Sequence, residues 1–176
     1  MLLRVLALAT VITLSGCAQV TRAPNLSPPS EEIRGSGVVV NVTGLGEIKV
    51  GLKRSELGRH LNTDLPGCNT QLREYPQSSL VFTPSPDDRL VLMWFNAPLT
   101  TAEGVATGTP LEKAKAAYPG AAEIKAPAGS RRFDGLLVTS GEYGYLLLHD
   151  GKTVQKAIAG YTEYLHQLFD SGFGVC

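Results

Sequence analysis

Histidine, cysteine and tryptophan are scarce in this chain of 176 residues, which holds three His, three Cys and one Trp. His60, His149 and His166 stand far apart and the cysteines are isolated, so no metal-ligand spacing is present and no cofactor is expected. Charge of one sign is missing too: Lys+Arg and Asp+Glu both number 16. That balance excludes the basic footprint of a nucleic-acid binder and of a protein held on an anionic membrane by charge alone. Catalytic motifs are also lacking. There is no Gly-x-Ser-x-Gly elbow, no His-Glu-x-x-His and no phosphate loop, and the adjacent Asp87 and Asp88 read as turn residues rather than an acid/base pair. The reading is of a protein that is not an enzyme. Finally, the apolar run Val5–Leu14 spans about ten residues, too few to cross a bilayer as a helix.

What that run does fit is a leader. Met1-Leu2-Leu3-Arg4 gives it a positive start, and the segment ends in Leu14-Ser15-Gly16-Cys17. These four residues resemble the lipobox of bacterial lipoproteins, the alternative being an ordinary signal peptide that contains a cysteine. The resemblance implies that residues 1–16 are removed and that Cys17 carries a diacylglycerol, anchoring the product to the cell membrane or outer membrane on its extracytoplasmic side. Loss of Arg4 with the leader leaves one net negative charge. At about 0.8 kcal/mol per buried methylene, two acyl chains hold durably where one binds marginally. Residues 17–36 are then the anchor and a tether rich in proline and polar residues, with Pro24, Pro28 and Pro29, reaching roughly 25 to 60 Å.

With Cys17 acylated, Cys68 and Cys176 remain as an even pair in an oxidising compartment and are expected to form a disulfide; free thiols or a partner's cysteine are the alternatives. The bridge would close a loop of roughly a hundred residues and stabilise by at most several kcal/mol.

Residues 37–176 read as one α+β domain. Val38 to Val42 is rich in β-branched residues, as a strand would be, and Gly44-Leu45-Gly46 breaks it. Strands are expected over 71–75, 80–83 and 89–95, and again over 132–139, 143–149 and 153–159. Turns divide them, among them Asp150-Gly151, a hairpin signal. Tyr161, Tyr164, Leu165, Leu168 and Phe169 recur at helical spacing and predict a C-terminal amphipathic helix. The fold class is therefore an antiparallel sheet packed by short helices, with two related strand-helix units plus that last helix.

The first unit is carried by Ile48, Gly51, Leu57 and Leu61, in which a short alternating segment passes through glycine into a helix. It resembles the Ile-x-x-Gly-Met-Thr motif of small outer-membrane assembly lipoproteins and of the tandem-repeat β-lactamase inhibitory proteins. Leu52 stands in place of Met, and Lys53 in place of the capping Thr. Shifted by 57 positions, the same pattern falls on Val105, Gly108, Ala114 and Tyr118, with Thr109 expected as N-cap and Pro110 as first helical residue.

One feature points to function. Leu90–Phe95 is apolar at every position and Tyr145–Leu148 nearly so, whereas a sheet wet on one side alternates. Two arrangements satisfy this. Either Trp94, or Met93 and Phe95, with Tyr75, Tyr143 and Tyr145, form a concave apolar patch for a partner or ligand, or the C-terminal helix or the Val38 strand covers the second face. The resemblance implies a non-catalytic envelope interaction or scaffolding module with an envelope protein as partner. The alternative is a carrier or sensor of a small apolar ligand between sheet and helices, lined by Trp94, Leu147 and Phe169. Arg131-Arg132 could bind an anion or form a solvated strand edge. The disulfide is tested by alkylating the exported protein with a mass-tagged thiol reagent before and after reduction. Two tags gained only on reduction are expected, and both tags gained without reductant would refute the pairing.

Overall fold

Two central strands without a polar face require cover above and below, and the architecture supplies both. The computed structural model describes residues 37–62 and 70–172. Cys17, Cys68 and Cys176, with the expected leader, anchor and tether, lie outside the described residues.

In chain order the elements are β1 (Gly44–Leu45), β2 (Ile48–Lys49), α1 (Arg54–Leu57), β3 (Leu61–Asn62), β4 (Gln71–Leu72), β5 (Ser78–Phe82) and β6 (Leu90–Phe95). They continue with α2 (Leu111–Ala117), β7 (Ala122–Ile124), β8 (Asp134–Ser140), β9 (Tyr143–His149), β10 (Val154–Tyr161) and α3 (Thr162–Ser171). The fold is α+β and mostly sheet. Six strands form one antiparallel sheet in the order β5-β6-β10-β9-β8-β7. The small β3–β4 pair meets its edge through a bridge from Thr70 to Leu80.

Alternation along the strands divides the core in two. On one face Met93, Phe95, Tyr145, Leu147 and Ala159 pack under Val40, Leu57, Leu99, Val105 and Ala114 from the first loops, α1 and α2. On the other, Leu92, Leu137, Leu146 and Ile158 pack under Leu165, Leu168 and Phe169 of α3. The C-terminal helix thus covers the second face, as one of the two expected arrangements required. Gly144 permits this close seating: a Cβ there would stand 2.3 Å from the Val138 carbonyl oxygen and 3.4 Å from a Leu165 methyl.

The two halves are built alike. Gly51 and Gly108 both have positive φ, at 95° and 87°. The Gly51 amide donates to the Leu90 carbonyl at 2.7 Å and the Leu90 amide to the Leu52 carbonyl at 2.9 Å. In the second half the Gly108 amide donates to Val154 at 2.8 Å and the Val154 amide to Thr109 at 2.9 Å. Each half therefore hooks its helix onto the first residue of its last strand, β6 or β10. Both strands carry an extra residue next, Val91 and Gln155, where the register shifts. The bulge returns Leu90 and Val154 to the face covered by the early loops, α1 and α2. β6 and β10 then pair with each other, Ile158 opposite Trp94, Ala157 opposite Phe95 and Ala159 opposite Met93, so the halves are related by a local two-fold passing between Trp94 and Ile158.

Several local expectations are corrected. Val38–Val42 makes only isolated bridges, Val39 to Thr100 and Asn41 to Gly44, because the chain turns at once into the β1–β2 hairpin; Gly44-Leu45-Gly46, expected to break that strand as a turn, supplies β1 itself. Thr109 is not the cap of α2: Pro110 takes that position with extended backbone, and the Thr109 hydroxyl accepts the Ala106 amide at 2.9 Å. Asp150-Gly151 is not a two-residue primed turn. The connection covers residues 150–153, and Asp150 Oδ1 accepts the Lys152 and Thr153 amides, each at 2.8 Å. β7 was not foreseen, its three residues being too few for a periodic signal.

Leu165 is fully buried, so Leu165→Ala should destabilise by about 2–5 kcal/mol in urea unfolding, with Glu163→Ala nearly silent. Gly108→Ala, with open space around the added methyl, should cost about 1–2 kcal/mol from backbone strain alone.

Candidate functional site

The residues expected on one apolar surface are distributed over four places. Met93, Phe95 and Tyr145 are buried, at 0%, 1% and 5% exposure, and face the layer built by the first loops, α1 and α2. Their patch does not form, because successive residues of a strand point to opposite faces and this face is filled. Tyr145 is tied there by its hydroxyl, which donates to the Val40 carbonyl at 2.8 Å; burial pushes its pKa well above the ordinary phenol value. Tyr143 is half-buried and stacks on Tyr161 at 5.0 Å between ring centroids. Tyr75 is half-buried beside the exposed Val38 and Val39, lining a cleft of about 460 Å³. Trp94 alone of the set lies on the α3 side of the sheet.

That side carries the most distinctive cleft, of about 350 Å³, between the end of α3 and the sheet. Its apolar lining is Trp94, Phe133, Leu148, Leu168 and Phe169, and its cationic lining is Arg131, Arg132 and Lys156. Lys156 is on the same face as Trp94 because it alternates in step with Ile158, which stands directly opposite Trp94, and its ammonium lies 5.2 Å from the Trp94 ring centroid. The Arg132 guanidinium lies 5.6 Å from the centre of Phe169 and donates to the Asp170 carbonyl at 3.2 Å, using the free carbonyls of the helix end. Leu147, expected to line a pocket with Trp94 and Phe169, belongs to the opposite core; Trp94 and Phe169 do share the cleft. Sequence reasoning missed Phe133 and Lys156. Their only signal was proximity in sequence to Arg132 in one case and the parity of a bulged strand in the other.

Around the second cleft runs a chain of polar contacts. Arg59 donates to Glu47 at 3.0 Å and to His60 Nε2 at 2.9 Å, and His60 Nδ1 meets Glu74 at 3.1 Å. With Nε2 accepting, Nδ1 carries the proton and donates to Glu74. Backbone hydrogen bonding and then His60 hold the Glu74 carboxyl below its usual pKa. Every lone pair of this imidazole is engaged, so it offers no free base. Among the described residues no group of three His, Cys, Asp or Glu is placed to hold a metal.

His149 is the remaining buried imidazole, 3% exposed. Its Nδ1 accepts the Gly151 amide at 3.2 Å, and Nε2 has no hydrogen-bond partner among the described residues. Burial lowers its pKa, Asp134 and Glu123 opposing and Lys125 and Lys115 assisting. The unfolded chain takes up this proton near pH ~6.5 while the folded chain does so only at lower pH. The stability contribution is therefore whole above the unfolded value and is lost as pH falls toward the folded one. The urea midpoint should drop between about pH 7.5 and about 5.5, and His149→Leu should flatten that drop; an equal drop in both proteins would contradict the assignment.

No family model, no curated protein and no solved structure matches this chain.

Proposed function

We propose that this chain is a lipid-anchored, extracytoplasmic, non-catalytic binding module of the bacterial cell envelope, whose contact region is the Trp94–Phe169 cleft. The observation that carries the reading is the convergence of Trp94, Phe133 and the edge of Phe169 on one open cleft, while Phe95 and Tyr145 are consumed by the core. A module of this kind needs a stable platform and one accessible apolar site, and strands buried on both faces supply the first. The lipobox resemblance of Leu14-Ser15-Gly16-Cys17 supports the anchor.

A second reading, a scaffold for an envelope protein, is favoured by a different observation. Val38 and Val39, at 40% and 39% exposure, sit with Tyr75 where the described chain begins, so a partner contacting that cleft would lie beside the tether.

Growth with an alkyne fatty acid followed by click detection tests the anchor. Label on the wild type, its loss in Cys17→Ser and recovery of the wild type in the membrane fraction are expected. An unlabelled protein that retains its leader and stays in the cytosol would overturn the reading.

A further inference from the structure

We propose that the cleft beside α3 binds a single-chain amphiphilic acid, with its carboxylate at Arg131, Arg132 and Lys156 and its apolar chain over Trp94 and Phe169. The inference deepens the binding-module reading and rests on it.

Charge supplies the first argument. Arg54, Arg59, Arg89, Lys115 and Lys125 each sit on a carboxylate, at distances between 2.6 and 3.0 Å. Arg131, Arg132 and Lys156 differ from these: three cations line one cleft, and none is paired with a carboxylate among the described residues. Arg132 and Lys156 instead lie over aromatic rings. Such faces hold a cation in place without neutralising it, which leaves its outward donors for an anion.

The lining supplies the second. A hydrophilic anion such as sulfate would satisfy the cations and leave the half-buried Trp94 and Phe133 partly in water. A neutral hydrocarbon would cover the rings and strip water from three charges at a cost. Only a molecule with both characters matches both halves of the cleft. A guanidinium fork beside a second cation suits the paired oxygens of a carboxylate.

Size supplies the third. About 350 Å³ is at the small end of ligand sites, enough for a short single chain or its leading segment and too little for the two chains of a membrane phospholipid.

Trp94 is the only tryptophan in the chain, so its fluorescence reports on this cleft alone. The full chain, in vesicles of zwitterionic phosphatidylcholine, is titrated with a brominated octanoate as contact quencher. Brominated octanol and a brominated octyl-trimethylammonium serve as chain-matched controls. Saturable quenching by the acid is expected, with the alcohol at least roughly tenfold weaker and the ammonium without effect. The double substitution Arg131→Gln with Arg132→Gln should weaken acid binding roughly tenfold, as loss of a charge-assisted contact does. Lys156→Gln should act in the same direction, both with unchanged circular dichroism. Equal quenching by acid, alcohol and ammonium would overturn the proposal, as would no saturable quenching. Quenching by brominated anionic vesicle lipid that the acid does not displace would also overturn it, in favour of a membrane-facing surface. Failure of the fatty-acid label on Cys17 would refute the anchor and leave this result standing. A labelled protein that does not bind the acid would refute only the ligand.

Discussion

The pairing of β6 with β10 is the constraint on which the rest of the molecule depends. It places both strands inside the sheet, where each has a hydrogen-bonded neighbour on either edge. Leu92, Met93 and Ile158 are all at 0% exposure as a result. Every layer that follows is an answer to that burial: α1, α2 and the early loops on one side, α3 on the other. The matching bulges at Val91 and Gln155 keep the first residue of each strand in contact with the helix hooked onto it.

The cover on the two sides differs in kind. One layer is repeated, once per half, through the Gly51 and Gly108 lead-ins; the other is a single helix that belongs to the second half alone. The local symmetry of the sheet is therefore broken by α3, and the Trp94 cleft lies where that helix ends. In this chain α3 occupies the second face of the sheet, and what remains accessible there is its margin.

Much of the fold was legible because its signals are local. The 3.6-residue spacing from Tyr161 to Phe169 names the helix and its buried side, and unbroken apolar runs name the strands with two covered faces. The repeat was visible through Gly51 and Gly108, since positive φ ties glycine to those positions. Capping and turn geometry were less legible. Thr109 and Asp150 have side chains able to bond several nearby amides, and tertiary contacts chose among them. The candidate site was legible only in fragments. Trp94 and Arg131-Arg132 stood out singly, but Lys156 joins them only through the pairing of β10 with β6, a register that no pattern along the chain sets.

The two-fold between Trp94 and Ile158 has a consequence for how such a chain can arise. A polypeptide holding only one half would end its sheet at β6 or β10, with a full row of amides and carbonyls open on the inner edge. The most direct way to satisfy that row is the same edge of an identical molecule, in antiparallel alignment about a symmetry axis. The present sheet has the form of such a homodimer written into one polypeptide, and with both halves in a single chain a terminal helix and a basic cleft can stand on one half without being imposed on the other.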